Sequence, residues 1–493
     1  MRKGGCPYFR ISFKKLYSPH LQLSILLFPM NKSLLRFILP FFAASAMLPF
    51  AVSCGNSTKT NDASGGSEHD FPDTLKVATL YSPESYFIYR GQEMGYDYEL
   101  VTTMAADKGI SIKLEIASSL SRAIEMLDSG KVDLIAYEVP VTAEYKEKVV
   151  ACGPENITRQ VLVQPKRGDV ELITDVTDLV GKDVYVEADS KYEARIENLN
   201  EELGGGIRIH PVDKDTMITE DLIAMVSNGQ IPLTIVDSDI ARINKTYYND
   251  LDITLPLSFE QRSGWAVAPD KKWLGDSIDA WLNIDAHRSE QAQLLKRYFE
   301  LSKNEPGNSR FNPAGLRVSP FDHLFKRYAD QYEWDWKLLA SQAYVESKFD
   351  STAVSWAGAR GLMQIMPRTA KGYGQSAKSV MKNDIAVETA LKLLRDLDKQ
   401  LKSKVPDEKE RKKFVIASYN SGLAHVLDAI ALAKKYGLNP QKWDGNVAKA
   451  ILWKSNPRYY KDPVVKYGYS RGRETYDYVN RVYSYYAKAK TKV

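Results

Sequence analysis

A helical segment that ends on one carboxylate is the first feature of the sequence that could do chemistry. The stretch QAYVESKFDSTAVSWAGARGLMQIMP covers 342–367. Leu339, Ala343 and Glu346 are spaced i, i+4 and i+7, which places them on one face of a helix that Asp335 can cap. A partly buried carboxyl in the last turn has a raised pKa, because burial and the negative end of the helix dipole both disfavour its anion. Glu346 is therefore a candidate general acid for a glycosidic oxygen, and the alternative is a solvent-exposed glutamate at a frayed helix end.

The segments after this helix add polar groups of the kind that line a sugar site. Gly358 and Gly361 let the backbone approach a ligand, and Gln364 carries both a donor and an acceptor. The later segment ASYNSG (417–422) brings Tyr419 and Asn420 to a helix end or turn. Taken singly, each of these residues is also compatible with ordinary packing.

Composition excludes several functional classes. The chain has 493 residues, is 44% hydrophobic and carries a net charge of +5, which predicts two or three domains and gives no reason to expect nucleic-acid binding. The three cysteines cannot form a disulfide framework. The six histidines show no metal-ligand spacing, so neither a metal site nor a cofactor is predicted.

The N-terminal region has the form of a secretory signal. From Met30, two basic residues precede a broken apolar run, and small residues stand directly before Cys54 in AVSC. This resembles a lipoprotein signal, which implies a signal peptide at 30–53, lipidation of Cys54, and a flexible tether at 54–72. Residues 1–29 are interpreted as an upstream extension. A plain membrane anchor or a different cleavage position is the alternative.

The next part of the chain alternates strand and helix patterns from about Thr74, which predicts an α/β fold with a mainly parallel sheet. A second such unit starts near Leu179, and the chain returns to the first unit around 255–269. We therefore expect a two-lobed module at 73–301, with lobe 1 at about 73–164 and 256–301 and lobe 2 at about 165–255. The Asn-, Pro-, Gly- and Ser-rich residues 302–318 form a linker, and 319–493 is predicted to be all-α.

The two-lobed module resembles the periplasmic family 3 solute-binding proteins in GYDYELVTTMAADKG, SGKVDLIAYEVPVTAEYKEKV and LVGKDVYVEADSKYEARI. The resemblance implies an amino-acid ligand between the lobes, contacted by residues at the positions of Tyr145, Ser190 and Asp237. Tyr145 stands where the family has an arginine for the ligand carboxylate, and a phenol cannot replace a bidentate guanidinium. Ser190 could equally be an ordinary N-cap, and Asp237 a hydrogen-bonded loop acid.

The helical domain resembles the SLT-type lytic transglycosylase domain of the lysozyme superfamily. Three blocks occur in the family order: ESKFDSTAVSWAGARGLMQIMP, ASYNSG and ETYDYV. The resemblance makes Glu346 the catalytic acid and base, and it places four residues in or beside the sugar cleft: Gln364, Tyr419, Asn420 and Tyr478. The pairing of the two modules, down to YGYSRGRETYDYV, resembles the F family of membrane-bound lytic transglycosylases.

This resemblance implies a lyase that cuts the β-1,4 bond between N-acetylmuramic acid and N-acetylglucosamine and leaves 1,6-anhydro ends. The expected partners are peptidoglycan glycan strands, a muropeptide or amino acid at the first module, and a membrane reached through the lipid anchor. The expected location is the cell envelope, at the outer membrane facing the periplasm. Two alternatives remain open: a solute receptor whose helical domain only binds peptidoglycan, and a lysozyme-like hydrolase with a second carboxylate.

Overall fold

The computed structural model describes residues 71–142, 145–168, 171–213, 219–301, 303 and 317–491. The predicted signal peptide, Cys54 and almost all of the tether lie outside the described residues, as does most of the linker. In the described part, no helix is both long and apolar enough to cross a membrane.

Lobe 1 is a five-stranded sheet with helices packed against it. Strand order is β4-β1-β5-β12-β6, in which β1 pairs in parallel with β4 and β5, while β12 runs antiparallel to β5 and β6. The elements are β1 (Thr74–Thr79), β2 (Phe87–Tyr89), β3 (Gln92–Met94), α1 (Tyr96–Lys108), β4 (Ser111–Ile116), α2 (Leu120–Asp128), β5 (Leu134–Pro140), β6 (Val150–Thr158), and, after lobe 2, β12 (Gln261–Val267), α6 (Lys272–Leu282) and α7 (Asp285–Phe299).

Lobe 2 is a second five-stranded sheet, in the order β11-β7-β10-β8-β9. Its elements are β7 (Gln160–Pro165), β8 (Asp183–Glu187), α3 (Lys191–Glu202), β9 (Arg208–Val212), α4 (Thr219–Ser227), β10 (Thr234–Asp237), α5 (Ser238–Lys245) and β11 (Leu251–Asp252). The expected lobe limit near residue 164 was too late, because β7 pairs antiparallel with β10 and so already belongs to the second sheet.

The strands β2 and β3 form a separate hairpin that projects from lobe 1. Its turn consists of Arg90 and Gly91, with φ of 50° and 75°. Positive φ at both turn positions is the type I′ geometry, which matches the natural twist of a two-residue hairpin. The turn therefore places the Arg90 side chain at the tip of the hairpin.

The C-terminal domain is helical in the residues that the structure describes, apart from short turns and isolated bridges. Its elements are α8 (Asp322–Gln331), α9 (Trp336–Ser347), α10 (Pro367–Gly372), α11 (Asn383–Leu401), α12 (Glu408–Ser421), α13 (Leu423–Lys435), an irregular turn (Trp443–Val447), α14 (Ala448–Trp453), α15 (Pro457–Tyr460) and α16 (Gly472–Lys490).

The N-terminal module and the helical domain share an apolar core. Ala357, Ala359 and Met366 of the helical domain belong to the same buried cluster as Trp265, Trp281 and other lobe 1 residues. Burying apolar surface is the main favourable contribution to association, so this seam is a packed interface rather than a loose contact.

Candidate active site

Helix α9 places Glu346 in its last turn, facing the interior. Asp335 caps the helix by accepting hydrogen bonds from the backbone N–H groups of Lys337 and Leu338, at 2.8 and 3.3 Å. The helix ends at Ser347, and the next residue, Lys348, has a left-handed backbone with φ of 54°. Glu346 is 8% exposed, so its carboxyl lies in the wall of the domain rather than in solvent.

Tyr478 holds the Glu346 carboxyl in position. Its hydroxyl donates to Glu346 Oε1 at 2.5 Å, and both side chains are buried. Tyr478 lies on α16, the helix that contains the ETYDYV segment, so residues 132 positions apart meet at one carboxyl. Burial and the neighbouring Glu346 raise the pKa of Tyr478 far above its usual value, so the hydroxyl keeps its proton and acts as a donor.

The loop after α9 forms the opposite wall of the site. Gln364, with φ of 48°, turns its amide inward, where Nε2 donates to the carbonyl oxygens of Ala353 and Gly361 at 3.1 and 2.9 Å. Tyr419 donates to the carbonyl of Met363 at 2.7 Å and so supports this loop from α12. The Gln364 and Tyr419 side chains therefore shape the wall, and the Gln364 Nε2 and the Tyr419 hydroxyl are already used within it.

Asn420 follows Tyr419 on α12 and faces α16. Its Oδ1 accepts a hydrogen bond from the Thr475 hydroxyl at 2.9 Å. Asn420 borders the same cavity as Glu346 and Tyr478, whereas Tyr419 supports the wall from behind. The structure thus brings Glu346, Gln364, Asn420 and Tyr478 to one groove.

The groove consists of two cavities that meet at Glu346. One, of about 630 Å³, extends between the loop after α9 and lobe 1, and the other, of about 470 Å³, extends toward α16. Both are in the size range of ligand pockets. The residues that border both cavities are Lys303, Glu346, Ser355, Trp356 and Gln364.

The tip of the β2–β3 hairpin occupies the centre of this groove. Arg90 forms an ion pair with Glu346, with 3.1 Å between Nη2 and Oε2, and its Nη1 donates to the Gln364 carbonyl oxygen at 3.2 Å. The two paired side chains are only 11% and 2% exposed. An adjacent guanidinium favours the ionised carboxylate, so the expectation of a protonated Glu346 does not fit this arrangement.

Comparison with known proteins assigns the chain to a family. Residues 75–301 match the bacterial extracellular solute-binding proteins, family 3, and residues 323–441 match the transglycosylase SLT domain. A membrane-bound lytic murein transglycosylase F from Desulfosudis oleivorans is 30% identical over 423 residues, which is 85% of this chain and 90% of that protein. The chain belongs to the membrane-bound lytic murein transglycosylase F family.

A second relative agrees with this assignment. A family member from Pseudomonas fluorescens is 31% identical over 418 residues, which is 84% of each chain. Among solved structures, substrate-binding domain 2 of GlnP from Lactococcus lactis aligns with a TM-score of 0.41 at 17% identity, over 48% of this chain and 99% of that one.

The hairpin of this family member is held in the groove by contacts on both sides of Arg90. Tyr89 donates to Glu474 Oε1 at 2.9 Å. His425 Nε2 donates to the Ile88 carbonyl at 2.9 Å, and burial, followed by the charge of Lys454, lowers the pKa of His425 to about 4, so its imidazole is neutral. A Cβ on Gly422 would lie 3.0 Å from the Gly91 nitrogen, so only glycine lets the turn approach α12 this closely.

In the N-terminal module, two of the three expected ligand residues lie together. Ser190 caps α3 by accepting from the Glu193 N–H at 3.2 Å, and the two residues that follow it, Lys191 and Tyr192, both contact the Asp237 carboxylate. Tyr145 lies on lobe 1, half-buried against its own core. Ser190 and Asp237 sit at the carboxyl ends of the parallel strands β8 and β10, where ligands bind in open α/β sheets.

The sequence interpretation missed Arg90, Trp356 and Lys303, which all line the groove. The segment FIYRGQEM carries one weak turn signal, the glycine that follows Arg90. Nothing local indicates that the tip of this hairpin contacts a residue 256 positions further along the chain.

Proposed function

We propose that the protein is a peptidoglycan lytic transglycosylase that cleaves the β-1,4 bond between N-acetylmuramic acid and N-acetylglucosamine without consuming water. The observation that carries the proposal is the buried Glu346 carboxyl, which Tyr478 orients at the meeting point of two cavities. A carboxyl in this setting can deliver and recover one proton without leaving its position.

In the proposed reaction Glu346 acts twice. As an acid it protonates the glycosidic oxygen while the bond from C1 to that oxygen breaks, and the acetamido oxygen of N-acetylmuramic acid bonds to C1. As a base, the Glu346 carboxylate then removes the proton of the 6-hydroxyl, whose oxygen attacks C1 and displaces the acetamido oxygen. The product is a 1,6-anhydro ring, and proximity within one sugar replaces an activated water.

Four other carboxylates are candidates for the second acid of a hydrolase. Asp350 accepts two hydrogen bonds from Thr352, at 2.8 and 2.7 Å, and Glu388 pairs with Lys392 at 2.9 Å. Asp384 is exposed at the start of α11. Of the four, only Glu474 borders the groove, where it accepts from Tyr89. This distribution favours the substrate-assisted route over a two-carboxylate hydrolysis.

The deciding experiment is mass spectrometry of the muropeptides that the purified protein releases from sacculi. Products that end in 1,6-anhydro-N-acetylmuramic acid are expected. Reducing ends, heavier by one water, would identify a lysozyme-like hydrolase and direct attention to Glu474. Tight binding to sacculi with no release would support a receptor with a peptidoglycan-binding domain.

The N-terminal module is proposed to regulate this activity. Arg90 both blocks the groove and pairs with the acid that must donate a proton, so the described state is inactive on steric and on electrostatic grounds. Release of the hairpin from the groove is therefore required before a glycan strand can reach Glu346.

An amino acid or muropeptide between the lobes is the proposed ligand of this module. Ser190 and Asp237 would contact it, and Asp237 suits an amine. Tyr145 in place of arginine makes capture of a carboxylate weaker than in typical family 3 proteins. Calorimetry with muropeptides and free amino acids tests this, and the absence of heat with all of them would leave the module a scaffold.

Anchoring at the outer membrane, facing the periplasm, through lipidated Cys54 is proposed from the sequence alone. The mass of the N-terminal peptide of the mature protein tests it. A diacylglyceryl cysteine at Cys54 is the expected result, and an unmodified N-terminus elsewhere would contradict it.

A further inference from the structure

Trp356 lies in the loop between α9 and α10, and hydrogen bonds hold the backbone on both sides of it. Ser355 and Ala359 exchange hydrogen bonds at 2.9 and 3.0 Å, and Gly358 N–H donates to the Ser355 carbonyl at 2.9 Å. The Trp356 carbonyl accepts from Arg297 Nε at 3.0 Å. The indole is therefore presented from a rigid turn only ten positions after Glu346.

The indole borders both cavities that meet at Glu346, together with Gln364. Its ring contacts come from the N-terminal module and the linker: Tyr89 at 5.4 Å and Tyr298 at 6.1 Å between ring centroids, and the Lys303 ammonium at 4.6 Å. The Tyr89 contact belongs to the hairpin whose tip carries Arg90. Withdrawal of the hairpin therefore uncovers one part of the indole next to the catalytic carboxyl.

An indole face that is uncovered beside polar groups favours one kind of ligand. Its face is apolar and electron-rich, and it binds flat partners that carry polarised C–H groups. A pyranose ring in a β-1,4-linked amino-sugar strand offers such a face, while its hydroxyl and acetamido groups point to the sides. The polar groups of Gln364, Ser355 and Asn420 border the same cavity and are placed to meet them.

We propose that Trp356 is the aromatic platform on which one sugar ring of the glycan strand stacks, and that Tyr89 covers this platform while the hairpin is in the groove. The proposal rests on the proposed function, because it concerns how the strand is held at that site. In this arrangement Tyr89 covers the sugar platform, and Arg90 forms an ion pair with the Glu346 carboxylate.

The test distinguishes a Trp356 side chain that stacks on a sugar ring from one that only contacts Tyr89. Trp356→Ala is compared in the wild-type chain and in a Tyr89→Ala chain that also carries Arg90→Ala, so that the Tyr89 contact is lost and the Arg90 pair no longer holds the hairpin in the groove. The two readouts are calorimetric binding of the N-acetylglucosamine hexamer and the KM and kcat for sacculi. In the Tyr89→Ala chain, we expect Trp356→Ala to weaken hexamer binding and raise KM by about tenfold with little change in kcat.

Two further variants control for folding. Trp356→Phe keeps an aromatic face and should stay within about threefold of its parent, and it also replaces Trp356→Ala if that variant does not fold. Trp453→Ala removes a half-buried indole of the same domain that stacks on Tyr459 outside the groove, and it should change neither readout.

Each result decides the question. If Trp356→Ala has no effect in the Tyr89→Ala chain, Trp356 acts only through Tyr89 and the proposal is wrong. If no hexamer binds to the Tyr89→Ala chain, the proposal is also wrong. Hexamer binding that depends on Trp356, from a protein that releases no anhydro products, would support the platform and contradict the proposed reaction.

Discussion

Replacement of Arg90 by alanine is expected to activate the enzyme. The variant loses the ion pair to Glu346 and the hydrogen bond to the Gln364 carbonyl, and both contacts exist only while the hairpin is in the groove. A hydrogen bond to a charged group contributes about 1.5–3 kcal/mol, and about 1.4 kcal/mol corresponds to a factor of ten. The ratio of open to closed molecules should therefore rise roughly tenfold to a hundredfold, and the rate of lysis should rise with it.

The assay is the initial rate at which purified sacculi lose turbidity, together with the yield of anhydro muropeptides. Arg90→Lys is the informative intermediate, because an ammonium keeps the charge but cannot span Glu346 and Gln364 as the guanidinium does. Arg122→Ala is a matched control, since Arg122 forms an exposed pair with Glu125 on the same lobe. This control should leave the rate unchanged.

Two outcomes would refute the reasoning. An unchanged rate for a folded Arg90→Ala protein would mean that the hairpin does not limit access to the groove. A rate below that of the wild type, with a raised KM, would mean that Arg90 helps to bind the strand. Thermal unfolding of each variant distinguishes these results from a loss of folded protein.

Three further predictions concern single side chains. Glu346→Gln should lower lysis at least about a hundredfold with sacculus binding retained, and unchanged lysis in the turbidity assay would remove Glu346 from the mechanism. Burial, and after it the charge of Arg471, lowers the pKa of Lys303 from 10.5 to about 7. Between about pH 7 and pH 10.5 the unfolded state therefore binds more protons than the folded state, and the free energy of unfolding rises with pH. Lys303→Met should accordingly raise Tm more at about pH 6 than at about pH 9 in thermal melts, and an equal shift at both would contradict the assigned cause. Asp428→Ala should lower the free energy of unfolding in urea by about 3–5 kcal/mol, because it leaves the buried Lys454 without its carboxylate partner. Asp444→Ala breaks an exposed ion pair with Lys413 and should lower it by less than about 1 kcal/mol.

The local parts of the site could be predicted from the sequence. Helix α9 begins after Asp335 and carries Glu346 in its last turn, as the apolar spacing and the cap indicate. Pro367 opens α10, as a proline at the first helical position should. These features depend on residues within one or two helical turns, so the information is present in a short stretch of sequence.

The features that escaped prediction depend on distant partners. The strand β7 joins lobe 2 because it pairs with β10, about seventy positions later, and a strand pattern does not reveal its partner. The expectation of a protonated Glu346 rested on burial and on the helix end, and it did not include a guanidinium from lobe 1. Arg90 itself reads locally as a turn residue, and its role depends on the packing of two modules.

Both lobes contact helix α16 near its N-terminal end. The lobe 1 hairpin contacts its first turn through Tyr89 and Glu474, and lobe 2 contacts the residue just before it, since Arg471 donates to Asn244 Oδ1 at 2.9 Å. The same helix carries Tyr478, one turn after Glu474, so a shift of its first turn reaches the hydroxyl that orients Glu346.

A substitution far from the groove tests this coupling. Tyr469, close to the start of α16, donates to Glu220 of lobe 2 at 3.0 Å, and Glu220→Ala removes that acceptor without touching the hairpin. If lobe 2 helps to hold the closed state, the basal rate of lysis should rise by up to about tenfold. Combined with Arg90→Ala, the two gains should multiply while the closed state still dominates, because both contacts stabilise that one state, and the rate should level off once most molecules are open. If Glu220→Ala changes the rate neither alone nor together with Arg90→Ala, lobe 2 does not hold the closed state and α16 is not a shared element.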